Sequence, residues 1–173
     1  SCLGSLVEPG DKVIIGVHGF FGTRMCEMVE RYGGEVVRLD QEWGKAFYPE
    51  TIENSLKANL DAKLLAIVHA ETSTGGLQPL DEIGELCQKH GVLFLVDAVT
   101  STAGVELAVD SWGIDVCYSG SQKCLGAPPG LAPVTINQRA LGVIAERKTK
   151  PPSFYLDLSL ISEYWGENHV YHH

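Results

Sequence analysis

Two residues carry most of the chemical information in this chain of 173 residues. Asp97 follows the apolar run Val92 to Val96, and Lys123 comes 26 residues later, closing the stretch Ser119-Gly120-Ser121-Gln122-Lys123 behind the run Ile114 to Tyr118. An amine and a carboxylate at the ends of neighbouring buried strands can address opposite ends of one heteroaromatic ring. The amine forms a Schiff base with an aldehyde, and the carboxylate keeps a ring nitrogen protonated so that the ring accepts carbanion electrons. That pairing is what pyridoxal 5'-phosphate chemistry requires. Taken singly each residue has a plainer use, because an Asp after a strand commonly caps a helix or turn and a Lys in a Gly-rich loop is commonly a solvated charge.

The elements that must hold these groups are legible as alternating patterns. Val13 to Val17, Val36 to Leu39, Leu64 to Val68, Val92 to Val96 and Ile114 to Tyr118 are apolar runs without polar alternation. Between them lie helical patterns: one bearing Met25, Met28, Val29 and Tyr32, one from Pro49 to about Leu60 with Ile52, Leu56 and Leu60 spaced by four, and one from Leu80 to His90. Strands buried on both faces and separated by helices predict an α/β fold with a mostly parallel sheet flanked by helices. A Gly/Pro-rich loop then runs from Gly120 to Gly130, followed by a strand Leu131 to Ile136, a helix Gln138 to Arg147, an exposed linker to Pro152 and a helical segment from Phe154 to Trp165.

In such a sheet ligands bind beyond the carboxyl ends of the strands. The residues placed there are His18 to Gly22, His69 to Gly75, Asp97, and Ser119 to Lys123. His69 and Glu71 read as structural groups outside the site, and Tyr118 and Cys124 as packing residues.

The stretch Ile114-Asp115-Val116-Cys117-Tyr118-Ser119-Gly120-Ser121-Gln122-Lys123, with Leu95-Val96-Asp97-Ala98-Val99, His69-Ala70-Glu71-Thr72-Ser73-Thr74-Gly75 and Tyr171-His172-His173, resembles the class V aminotransferases of fold type I. It looks closest to the alanine/serine–glyoxylate aminotransferase group, which includes the hydroxykynurenine transaminases. The resemblance covers essentially the whole chain. It implies the large domain of a pyridoxal-phosphate-dependent transferase, similar to that of aspartate aminotransferase, with pyridoxal 5'-phosphate as cofactor and no metal. Lys123 becomes the Schiff-base lysine and proton shuttle, and Asp97 the partner of the pyridine nitrogen. Phe21 becomes the ring stacked on the cofactor, where close relatives commonly carry Trp, and Val99 packs on the opposite face. Thr72 becomes the donor to the phenolic oxygen and Gln122 a phosphate contact. Tyr171 reaches the phosphate of a neighbouring subunit, which implies a homodimer with shared sites.

The implied reaction is transamination of a small amino acid, alanine or serine, with glyoxylate or another small 2-oxo acid. Cysteine desulfurases share much of the pattern but typically carry His before the lysine and His on the ring, where this chain has Gln122 and Phe21. Phosphoserine aminotransferases and kynureninases are further relatives compatible with the motifs. A nicotinamide oxidoreductase is a remoter alternative: Gly16, Gly19 and Gly22 before a helix, with Asp40 ending the next strand, imitate a dinucleotide site. The glycine spacing is wrong for it, and it leaves Asp97 and Lys123 without a task. A catalytically dead binding module is disfavoured by the retention of both.

Composition narrows the partners. Thirteen Lys+Arg against 22 Asp+Glu give a formal charge of −9, a poor surface for nucleic-acid phosphates. No apolar run approaches the roughly 18 residues of a membrane span. Five cysteines without C-x-x-C spacing point to neither a disulfide framework nor a zinc site, and to a reducing compartment, cytoplasmic or else peroxisomal or mitochondrial. Residues 1–147 are expected to form most of a cofactor domain, and 148–173 a linker and tail leading toward a further domain, so that the chain is an excerpt of a longer one.

Overall fold

The computed structural model describes residues 1–165. Six strands form one sheet: β1 (Lys12–Val17), β2 (Glu35–Asp40), β3 (Ala62–Val68), β6 (Leu93–Asp97), β7 (Val116–Tyr118) and β8 (Val134–Ile136), in the order β2-β1-β3-β6-β7-β8. Every neighbouring pair is parallel except β7 with β8. A small hairpin, β4 (Ala70–Glu71) with β5 (Gly76–Leu77), stands apart from it. The helices are α1 (Cys2–Leu6), α2 (Phe20–Arg31), α3 (Pro49–Ala58), α4 (Asp81–His90), α5 (Gln138–Ala145) and α6 (Leu158–Trp165).

The continuous apolar runs are explained by two cores. Val13, Ile15 and Val17 point to one face with Leu64, Ala66, Val68 and Leu95, where α1, α2, α5 and α6 cover them. Ile14, Leu65, Ile67, Phe94 and Val96 point to the other, under Ile52 and Leu56 of α3 and Ile83 and Cys87 of α4. Each fully buried Ile, Leu or Phe contributes about 1.5–3 kcal/mol relative to exposure, so both faces of each central strand must be apolar.

Element boundaries differ from the pattern in three instructive places. Leu60 does not continue the buried stripe and is 82% exposed: α3 stops at Asn59, which turns its side-chain amide back onto Ser55 O at 2.9 Å. The last strand is Val134–Ile136 rather than Leu131 to Ile136, because Pro133 brings no N–H to the ladder and Leu131 stays exposed. The short α1 carries no recognisable period, yet all five of its residues are buried.

The segment beyond Arg147 is tied to the start of the chain. Arg147 donates to Ser5 O and Val7 O at 3.0 and 2.9 Å, Leu158 N donates to Ser5 Oγ at 3.1 Å, and Leu158 joins the first core. At the ends of α4, Asp81 and Glu82 occupy the first turn and Lys89 and His90 the last, each sign matching the helix dipole. Gly91 closes that helix at φ 73°, a left-handed conformation that side chains resist.

For function the order of strands matters most. The chain leaves β1 to one side for β2 and to the other for β3, which makes the crevice beside β1 and β3 a topological switch point.

Candidate active site

The cleft at that switch point encloses about 470 Å3, within the range of small-molecule sites, and its walls come from five separate elements or their exits. Phe21 and Arg24 come from the first turns of α2, Thr72 from the turn between β4 and β5, Asp97 from the end of β6, Val99 and Thr100 from the turn after it, and Gln122 and Lys123 from the loop after β7. All six residues that sequence reasoning assigned within the described part therefore line one cavity. Tyr171 lies outside the described residues.

Asp97 sits at the buried side of this cleft, 8% exposed. Its Oδ1 accepts the Val99 N–H at 3.0 Å and its Oδ2 accepts the Tyr118 hydroxyl at 2.8 Å. Burial lifts Asp97 above the ordinary carboxylate range despite these two donors, with the charge of Glu71 adding to the rise and that of Arg24 opposing it. A buried carboxylate of this kind gains from a cationic N–H partner. Tyr118 is the counterpart: burial first, then the charge of Asp97, push its phenol far above the usual range, so it remains a donor. The expectation that Tyr118 merely packs is thus corrected, since its ring packs on the first core while its hydroxyl serves the carboxylate.

Thr72 is oriented by a short relay. Thr100 Oγ1 donates its single proton to Ala70 O at 2.7 Å, so it receives the proton of Thr72 Oγ1 across 3.1 Å. Lys123 is exposed, in a loop whose base is pinned by Ser119 N to Pro133 O at 2.9 Å and Ser121 N to Leu131 O at 3.0 Å. Cys124, expected to pack, is instead exposed, because it lies in the Gly/Pro-rich loop outside both cores, with Sγ 3.2 Å from Thr100 O.

Glu71 has more to do with the site than its sequence position suggests. It is 1% exposed and reaches across to the start of α2, where its Oε2 accepts the N–H groups of Phe21 and Gly22 at 3.0 and 3.4 Å. Its Oε1 takes the N–H and hydroxyl of Ser73 at 3.1 and 2.7 Å, and Ser73 Oγ in turn accepts the Phe20 N–H at 2.9 Å. A helix start leaves its first N–H groups without intrahelical partners, and Glu71 supplies them together with a favourable charge at the dipole's positive end. Gly19 makes room for it: a Cβ there would stand 2.2 Å from Glu71 Cγ. Arg24, stacked 4.9 Å from the Phe21 ring centre, is the other residue that sequence reasoning passed over. Its spacing from Phe21, one helical turn, was the available signal. His69 lies edge-on to Trp112, outside the cleft lining, and His18 is likewise outside it, its Nε2 3.0 Å from Val68 O.

Residues 1–166 match the family model described as aminotransferase class-V. The chain belongs to this family. It is 43% identical over 189 residues to the (S)-ureidoglycine–glyoxylate transaminase of Bacillus subtilis, with 99% of this chain and 45% of that protein covered. To the alanine–glyoxylate aminotransferase of Rattus norvegicus it is 43% identical over 176 residues, covering 100% of this chain and 42% of that protein. The crystal structure of an alanine–glyoxylate aminotransferase from Nostoc sp. superposes with a TM-score of 0.96 at 47% identity, covering 99% of this chain and 45% of that one. The chain thus spans less than half the length of the curated relatives it matches. The fold is that of the pyridoxal-phosphate-dependent aminotransferases, and membership of the class V family implies that cofactor. No helix among the described residues is long and apolar enough to cross a membrane.

The residues lining the cleft fit the implied group. An aromatic ring, a branched aliphatic side chain, a buried carboxylate and an exposed amine line one cleft of suitable size. A flat ring with a basic nitrogen and an aldehyde would find walls for its faces, a carboxylate for its nitrogen and an amine for its aldehyde.

Proposed function

We propose that this chain is the cofactor-holding part of a pyridoxal-phosphate-dependent aminotransferase that moves the amino group of a small amino acid, alanine or serine, onto glyoxylate or another small 2-oxo acid. The observation that carries the reading is the convergence of Lys123 and Asp97, from the exits of different strands, on a single cleft. Pyridoxal 5'-phosphate, when bound, supplies the electron sink that makes an amino-acid Cα proton removable.

The chain's residues supply the rest. Lys123 Nζ would hold the cofactor and, as a free amine, would move the proton at the substrate Cα as a general base and acid. Asp97 keeps a proton on the pyridine nitrogen, which sustains the ring's pull on electrons. Phe21 and Val99 would bracket the ring faces, and Thr72, whose single proton rests on Thr100 in this structure, would turn that proton toward the phenolic oxygen once the cofactor is bound. Gln122 contacts the phosphate, as does Tyr171 from the neighbouring subunit of a homodimer. Catalysis therefore rests on positions set by the ends of β1, β3, β6 and β7.

The equal identity to a ureidoglycine and an alanine enzyme supports glyoxylate as acceptor and makes (S)-ureidoglycine a second donor to test. Five free cysteines support a reducing compartment, cytoplasmic, peroxisomal or mitochondrial. The test is a spectral titration of the whole protein loaded with pyridoxal phosphate. Alanine, serine or (S)-ureidoglycine is expected to bleach the lysine-linked absorbance, and glyoxylate to restore it. A whole protein that takes up no pyridoxal phosphate overturns the reading.

A further inference from the structure

Asp97 and Tyr118 occupy paired positions at the ends of adjacent parallel strands, β6 and β7. The register places the phenol beside the carboxylate, and the two meet at 2.8 Å. Packing alone gives no reason for the hydroxyl. The Tyr118 ring forms a wall shared by the cleft and a neighbouring apolar hollow of about 500 Å3 lined by Cys2, Leu3, Val134 and Leu158, a place that Phe would fill equally well. A phenol in such surroundings costs stability unless bonded, and here its bond goes to a group of the site.

We propose that Tyr118 is a positioning residue for this reaction: its hydroxyl fixes Asp97 and holds it as a carboxylate, so that the proton shared with a bound pyridine ring stays on the ring nitrogen. The inference rests on the function proposed above. Without the phenol, Asp97 would keep one donor, the Val99 N–H, and would become the more basic end of the shared proton. The other charged groups felt by Asp97 do not replace it. Arg24 on α2 acts at longer range, Glu71 on β4 works in the opposite direction, and the thiols of Cys2 and Cys117 are themselves pushed up, to about 11 and about 12, by burial.

Tyr118→Phe keeps the ring and removes the bond. In the whole protein loaded with cofactor labelled with 15N at the pyridine nitrogen, the variant's resonance is expected to move toward that of unprotonated pyridine. The kcat with the best donor should fall about tenfold while KM stays within about twofold, the pattern of an interaction made in the transition state rather than in substrate binding. A loaded variant with wild-type nitrogen resonance and wild-type kcat overturns the proposal. So does a variant whose rate falls with no movement of the resonance, because the loss is then structural. A wild-type protein that binds no pyridoxal phosphate instead overturns the function itself, and the two failures are told apart by that loading step.

Discussion

Glu71 caps the first turn of α2 from fifty residues away, its Oε2 lying 3.0 Å from the Phe21 nitrogen. The bond ties the element that carries the aromatic wall of the cleft to the β4–β5 hairpin that carries Thr72. Glu71→Ala leaves the N–H groups of Phe21 and Gly22 and both Ser73 donors without their acceptor. We expect a loss of about 2 kcal/mol or more of stability, the scale of a lost cap together with buried donors left unsatisfied. Weaker cofactor retention should accompany it. Thermal unfolding and cofactor titration of the whole protein check both, and an unchanged melting temperature would contradict the capping role.

Gly19→Ala probes the same junction from the other side. The backbone at Gly19 is extended, φ 174°, which any residue adopts, so only space is at issue. A Cβ 2.2 Å from Glu71 Cγ and 2.7 Å from Ser73 Oγ must displace the cap. Destabilisation of about 1–3 kcal/mol is expected from overpacking, measured by denaturant unfolding.

Lys123→Ala should abolish turnover and the borohydride-stable linkage between protein and cofactor, while folding is untouched because the side chain is exposed. Mass spectrometry of the borohydride-treated protein reads the linkage directly. A Lys123→Ala protein with normal transamination would remove this lysine from the mechanism.

Asp97→Asn separates stability from activity. Asn preserves the shape and can still bond Val99 and Tyr118, yet offers no charge to a ring nitrogen. A rate loss of about 100- to 1,000-fold is expected, as for removal of one electrostatic contact in a buried site. The stability effect has the opposite sign. Asp97 has a raised folded-state pKa, so its ionisation costs stability as pH climbs from the unfolded value, about 3.9, through that raised value. Cofactor-free Asp97→Asn should therefore melt at or above the wild-type temperature at neutral pH, with the gap closing as pH falls below the carboxylate range. A cofactor-free variant that melts lower at neutral pH would show that the carboxylate is a structural asset.

The fold was legible because burial on both faces leaves a plain record: Leu64 to Val68 and Val92 to Val96 admit hardly any reading but central parallel strands. Asp97 and Lys123 were legible because their chemistry depends on residue type and strand-end position, and both survive in linear sequence. Glu71 and Tyr118 were not, because a carboxylate near a strand end and a Tyr ending a strand acquire meaning only through bonds spanning 50 and 21 residues. Leu60 misled for the same reason, since the four-residue spacing continued while Asn59 ended the helix beneath it.

The reversal of direction at β8 gives the Lys123 loop a separate mechanical status. Strands β2, β3, β6 and β7 are each reached by a crossover from a parallel strand, whereas β7 and β8 enclose the loop as an antiparallel pair at the sheet's edge. Residues 122–132 are exposed, and the loop's base hangs on a few hydrogen bonds rather than on either core. It can therefore open as a local unit at far lower free energy than the sheet that carries Asp97. In hydrogen-exchange terms, the amides around Lys123 are expected to exchange faster than those of β6 beside Asp97, so that one site draws its amine and its carboxylate from a fast and a slow compartment of the same molecule.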